Sequence, residues 1–561
     1  MQRPLRASAT RDLVASLLLL GLVHGTAAGQ GGRPPAQAKR TIVLMGGTVH
    51  LPGGKVSKLA TIVISAESGL FTYVSGDDGG GLGYTGDDRQ RVEEIDCRGK
   101  HIWPAMIAAN SLVGLTETES VRATLDFDET GDLTPEVRAD TAFHPDSSLI
   151  AVTRSAGIGY VLSVPQGGLV PGRSALMSLD GWTTKDMVVR APLALHLRLP
   201  STIVREGRGP DAAKKAAEAR AARDRRVQAF VDLIEAARAY AALPRDEPPG
   251  QGATRLDTRL EALREVVAGR MPVFVHADAL ADIQVGLDLT RRLGLRMVLC
   301  GGYDAMLVKG ELLARGIPVV VSNVHRLPLY RHDPYDAPFT LPARLHAAGI
   351  RFCIAGNGGA FEAAHERNLP LEAATAVAHG LDPAAAMAAV TSSVAEILGV
   401  ADQVGSIREG MRASLIVCDG NPLEVTTKVE RMWIDGLEVD LDNRQEALRR
   451  RFEAKPRRLS GASPRGGGQI PRRRVAGAGR PPCRAAWGWL ARKRTRNRRR
   501  KAWRGPDFFL QFRPFRPCLS EGPLGGVLSG AGRRGSSSRG QGGAEGNVTS
   551  GGRLNPWVHL S

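Results

Sequence analysis

His276 and Asp278, in the run "VFVHAD", are the two side chains of this 561-residue chain best suited by type to move protons. An imidazole titrates near neutrality and a carboxylate two residues away could orient it or share its proton. The same His276 could instead be a metal ligand, or a buried histidine kept for packing. Asn110, Ser111, Glu117, Arg122 and Asn357 also fall where apolar runs end, and polar side chains at such positions can line a substrate pocket. A second group, His325, His332, Asp333 and Asp336, shares one Pro/Tyr-rich stretch, "NVHRLPLYRHDPYDAPF". His332 and Asp333 are adjacent, which does not give the facing geometry of a ligand pair, so this stretch reads as a closing loop. Gly167, Gly168 and Gly172 form a candidate loop for holding an anion on backbone N–H groups, although glycine pairs are also common turns. The six cysteines are scattered without a C-x-x-C pair, and Cys300, Cys353 and Cys418 sit in apolar runs, as buried free thiols do. The chain has no phosphate-binding P-loop motif and no supported Ser-His-Asp arrangement.

These residues must be held by regular elements. From residue 41, short alternating runs such as "TIVLMGGTVHL" and "ATIVISA" are separated by glycine-rich turns, as in a small antiparallel unit over 41–100. Over 101–400 apolar runs ("HIWPAMIAA", "GIGYVLSVP", "MPVFVHA", "LRMVLCGG", "IPVVVSN", "IRFCIAGN") alternate with amphipathic segments. That alternation predicts a parallel sheet covered by helices, and so many units predict a (β/α)8 TIM-like barrel. An Ala/Arg/Glu/Lys-rich stretch within 205–245 predicts an exposed helical insertion. Residues 401–445 return to strands and turns and could pair with 41–100 into one small β-sandwich formed from both ends of the folded body.

The net charge of +18 resembles a nucleic-acid signature until it is mapped. Residues 457–561 hold 23 of the 75 Lys and Arg but only 3 of the 57 acidic residues, so residues 1–456 are close to neutral. The basic character belongs to an Arg/Gly/Pro-rich tail whose composition predicts disorder. A nucleic-acid-binding role for it is disfavoured, because the N-terminus carries an export signal: Arg3, Arg6 and Arg11 precede the apolar run "LVASLLLLGLV" and the small residues "HGTAAGQ". A cleavable signal over 1–28 and a linker over 29–40 imply a periplasmic or extracellular protein. No other stretch is long and apolar enough to span a bilayer.

"HIWPAMIAAN", "MPVFVHAD", "AVTSSVAEILGV" and "GSIREGMRASLIVCDGNPLE" together resemble the amidohydrolase superfamily, in its imidazolonepropionase-like branch, over roughly residues 41–445. The last motif is the most specific, with Ser414 in place of the customary aspartate. The resemblance implies a metal-bearing barrel flanked by a β-sandwich and hydrolysis of carbon–nitrogen bonds by metal-activated water. It also implies a zinc or other divalent metal, a His-x-His pair on the first barrel strand, histidines on the fifth and sixth, and an aspartate on the eighth. Here the pair falls on Asn110 and Leu112, the fifth-strand histidine on His276, the sixth on Gly301 and the aspartate on Asn357 or Gly358. One ligand position is matched. Two functions follow: an exported hydrolase of a small molecule, acting on an amide or cyclic amide through an unusual metal site or through acid–base chemistry by His276 with Asp278 or a carboxylate from another loop, or an inactive barrel that binds a small molecule or a protein.

Overall fold

The computed structural model describes residues 40–460 except 66, 76–91, 203–210 and 244–255. The expected signal segment, the linker up to residue 39 and the tail beyond 460 lie outside the described residues. Sixteen strands are described in two sheets: β1 (Thr41–His50), β2 (Val56–Ile64), β3 (Phe71–Val74), β4 (Val92–Asp96), β5 (His101–Pro104), β6 (Met106–Ser111), β7 (Ile158–Ser163), β8 (Gly172–Ser178), β9 (Val188–Arg198), β10 (Val273–Ala277), β11 (Met297–Gly301), β12 (Val319–Ser322), β13 (Phe352–Ala355), β14 (Leu415–Cys418), β15 (Val429–Ile434) and β16 (Leu437–Glu438).

The first sheet is ordered β16-β15-β14-β5-β1-β2-β3, with β4 also paired to β1. It joins both ends of the described chain, because β14 from residues 415–418 lies antiparallel to β5. Its core contains Ile62, Ile64, Phe71, Leu415 and Trp433, all at most 1% exposed. Burial on this scale stabilises by about 1.5–3 kcal/mol for each large apolar side chain.

The second sheet runs β6 through β13 in sequence order and forms the barrel. β6 and β7 are buried at every position, as strands are when helices cover the outer face and side chains fill the interior. One strand departs from the (β/α)8 pattern: β8 runs antiparallel to both β7 and β9. The short link between Ser163 and Gly172 allows only this, since a parallel return needs a crossover of a dozen or more residues. The seam between first and last strands is bridged by one helical junction. Ile107 N donates to Val390 O and Ile354 N donates to Ala389 O, each at 2.9 Å.

The stretch 101–111 belongs to both sheets, pairing with β14 up to Pro104 and with β7 beyond Met106. Tyr160 on β7 ties the sheets further: its hydroxyl lies 2.5 Å from Ser414 Oγ and donates to Asp435 Oδ1 at 2.6 Å.

The helical insertion is the helix Ala212–Ala241, and its second half is not exposed as expected. Phe230, Leu233, Ile234, Ala237 and Tyr240 are buried at i, i+3, i+4, i+7 and i+10, so this half of the β9-to-β10 crossover packs inward. The long polar first half hides that stripe in a sequence average. The four described cysteines, Cys97, Cys300, Cys353 and Cys418, are free and buried.

Candidate active site

The barrel strands and the loops that follow them hold three distinct polar groups. The first lies inside the barrel. His276 on β10 is hydrogen-bonded through Nε2 to Nδ1 of His196 on β9, at 2.9 Å. His196 is fully buried, and its Nε2 has no partner among the described residues. Burial and the Arg198 guanidinium both hold the His276 and His196 imidazoles well below the ordinary value, so both are neutral near pH 7. Cys300 and Cys353 complete this layer on β11 and β13, with Val320 between them in register. Burial pushes the Cys300 thiol up to about 12, so it is not a nucleophile.

The second group clasps the loops together. Asp278 lies one residue beyond β10 and does not bond His276; its Oδ2 accepts from Arg326 Nη1 at 2.9 Å. The Arg326 guanidinium also lies 5.4 Å from the Tyr303 ring centre. Tyr303 donates its hydroxyl to Asp333 at 2.6 Å, and Tyr330 donates to Asp304 at 2.7 Å. His332 is exposed and stacks on Tyr330. The stretch 323–336 is thus a hydrogen-bonded cover, with Asp333 engaged by tyrosine rather than arranged with His332 around an ion. The glycine loop at 167–172 is likewise structural. Leu169 N and Val170 N both donate to Asp132 O, and a Cβ on Gly168 would stand 2.8 Å from the Asp132 and Gly131 carbonyls. An anion there would meet carbonyl oxygens.

The third group forms a cavity of about 150 Å³ beyond the ends of β12 and β13. Its lining includes Asn357, Phe361, Glu362, His365, Glu366 and Glu372, with Asn323 and His325 from the loop after β12. Glu366 is 4% exposed, and its Oε1 has no hydrogen-bond partner among the described residues. Burial, opposed by a hydrogen bond from Ser111 and reinforced by Glu372 and Glu362, pushes its carboxyl up to about 8. Glu372 is raised to about 7 by burial, against the Val324 N–H that donates to its Oε2 at 2.7 Å. At pH 7 Glu366 therefore keeps its proton while Glu372 is near its midpoint.

Of the residues singled out by sequence, Asn357 is exposed on the wall of this cavity, and the fully buried Ser111 hydrogen-bonds Glu366 from behind it. Asn110 stands behind it, with Nδ2 donating to Gly356 O at 3.3 Å. Gly358 is in the left-handed region at φ 72°, and a Cβ there would collide with the Asn110 amide. His276 is inside the barrel, Asp278 is in the cover, and Arg122 is exposed in the turn Arg122–Thr124 and does not line the cavity. Sequence reading missed Glu366, Glu372 and His196. In "HERNLPLE" the glutamates look like solvated helix positions, and only the fold buries them. His196 had a faint signal as the one titratable residue in the apolar run "LALHL".

The donor set at the family's metal positions is one imidazole, His276, already bonded to His196, with two amides, a leucine and glycine in the other places. Among the described residues no three His, Cys, Asp or Glu side chains are grouped to hold a metal ion. This set does not fit a catalytic zinc, which takes three protein ligands.

The fold is a barrel with a flanking β-sandwich. The Amidohydrolase family profile matches residues 339–440, from the helix before β13 through β16. An amidohydrolase crystal structure from Thermotoga maritima MSB8 shares the fold, at a TM-score of 0.59 and 24% identity, covering 71% of this chain and 99% of that one. Amidohydrolase tasK of Hapsidospora irregularis is 27% identical over 184 residues, which is 32% of this chain and 18% of that protein's length.

Proposed function

We propose that the protein is an exported hydrolase of a small molecule, cleaving a carbon–nitrogen bond in a non-peptide or cyclic amide by acid–base chemistry without the family's metal. The observation that carries this is Glu366, a buried carboxylic acid that keeps its proton near neutrality and faces an open cavity. Amide hydrolysis without a Lewis acid needs a proton for the departing nitrogen and a base for the water. Glu366 serves as the acid and Glu372, with the lower proton affinity of the two, serves as the base. Water adds to the carbonyl carbon as Glu372 takes its proton; the C–N bond then breaks as Glu366 protonates the nitrogen. In this reading the Asn357 amide, exposed on the cavity wall, donates to the carbonyl oxygen as charge develops there. The His276–Asp278 alternative lacks a hydrogen bond between the two residues and a charge-bearing imidazole.

The test is turnover of a panel of small linear and cyclic amides by the purified protein before and after treatment with a chelator. Hydrolysis that survives chelation and disappears in Glu366→Gln is the expected result. Stoichiometric zinc whose loss, together with His276→Ala, abolishes turnover would sink the metal-free reading. A barrel that binds without turnover is the second reading, favoured by the way Asn110 and Gln166 donate their amides to Gly356 and Gly358 and seal the strand ends. A complete lack of hydrolysis across the panel supports it. Export is tested by the position of the mature N-terminus after expression with residues 1–39 intact.

A further inference from the structure

We infer that the Glu366 cavity is a subsite for a small aliphatic ammonium group, the amine side of the substrate and the product that leaves it. The direction of the reaction rests on the hydrolase reading above; the binding does not. Three carboxyl groups, Glu362, Glu366 and Glu372, line the cavity, and among the described residues no lysine or arginine does. The imidazole of His325 is held by Thr375 at 2.6 Å, and burial lowers its proton affinity, so it adds no positive charge at neutral pH. A carboxyl-lined cavity without a cation favours a positively charged occupant and opposes an anion.

Glu366 sets where that charge would sit. Glu372 already accepts the Val324 N–H, whereas Oε1 of the buried Glu366 has no partner, and an unmade hydrogen bond at a buried acceptor is costly. An ammonium group brings three donors to that atom and its neighbours. Beside it the Phe361 ring is 61% exposed and tilted against His365 at 4.8 Å, an apolar face for a short alkyl chain and for the edge of a cation. The size of the cavity, about 150 Å³, confines the occupant to a small head group. The cleavage step is consistent with this occupant. When the C–N bond breaks, the Glu366 proton passes to nitrogen and frees the amine; the amine then takes the proton that Glu372 removed from water, and the resulting ammonium stands as an ion pair with the Glu366 carboxylate.

The experiment is calorimetric titration of the full chain at about pH 7 with n-butylammonium, butyramide and butyrate, repeated in two buffers of different ionisation enthalpy. Glu366, flanked by Glu362, Glu372, His325 and His365, keeps its proton in the free protein and must surrender it to pair with the cation. Expected are binding of butylammonium at least tenfold tighter than of the neutral amide, no binding of butyrate, and net proton release. Glu366→Gln, folded by circular dichroism, loses tenfold or more, and Glu366→Asp recovers part of it. Equal binding of the amide or the carboxylate, no binding of butylammonium by folded protein, or an unchanged Glu366→Gln would overturn the inference. If butylammonium binds and no amide is cleaved, the subsite stands and the hydrolase reading falls. If amides are cleaved and butylammonium does not bind, the reverse holds.

Discussion

The β-sandwich and the barrel mouth are built from the same kinds of residue and differ in how they treat buried polar atoms. In the sandwich, Trp433 is buried under the Arg431 guanidinium, 4.9 Å from its ring centre, and among the described residues only Ser57 and Trp433 leave a buried polar side-chain atom without a partner. In the barrel the same shortfall touches Asn110, His196, Arg198 and Glu366, among others, at the strand ends, the interior and the cavity beyond β13. An unpaired buried polar atom costs about 1–3 kcal/mol, and a fold keeps several together mainly where a ligand will pair them. The sandwich is therefore a structural clamp that closes the two ends of the chain, and the mouth is where stability has been given up.

Four substitutions can break or sharpen that contrast. The largest effect is expected from Glu366→Gln, a loss of about 100-fold or more in kcat/KM, the usual size of one general-acid contribution. The same variant should melt above the parent by a margin that grows with pH. A carboxyl raised to about 8 contributes its stability fully below its unfolded value and loses it as pH rises through about 8, and glutamine has no such loss. Melting curves from about pH 5 to pH 8.5 check the sign; a constant offset would mean that Glu366 is ionised in the folded protein.

Trp433→Ala in the sandwich should cost about 3–5 kcal/mol in urea unfolding while leaving the rate per folded molecule unchanged. His276→Ala removes the partner of His196 and opens a small cavity, for a cost of about 2–3 kcal/mol. Its rate should fall no more than a few-fold, and a drop as large as that of Glu366→Gln would return the histidine to the chemistry. Arg326→Ala breaks an ion pair with Asp278 whose side chains are 24% and 35% exposed, so less than about 1 kcal/mol is expected. A rate loss above tenfold in that variant would place the cover over the mouth in catalysis.

Much of the architecture was legible in the chain. The switch from alternating runs to apolar runs separated by helices marks the change from sandwich to barrel, because strand faces covered on both sides have no polar positions to alternate. "GSIREGMRASLIVCDGNPLE" announced the return to the first sheet, and β14 does pair with β5. The antiparallel β8 and the buried half of the helix Ala212–Ala241 were not legible. The first depends on loop length against barrel closure, and the second on a narrow apolar stripe averaged away by its polar neighbours.

The site divides the same way. Sequence alone determined which residues stand where the resemblance places metal ligands, since Asn110, Leu112, Gly301 and Asn357 or Gly358 are read directly and no folding can turn them into histidine or aspartate. It also determined that Ser111 and Asn357 end strands. Only the tertiary structure decided that Glu366 and Glu372, written like ordinary helix-surface acids, are carried into a cavity beside Ser111 and held there with raised proton affinity. The physical reason is that a carboxyl's acidity depends on its distance from water and on its neighbours, and neither exists until the chain has closed.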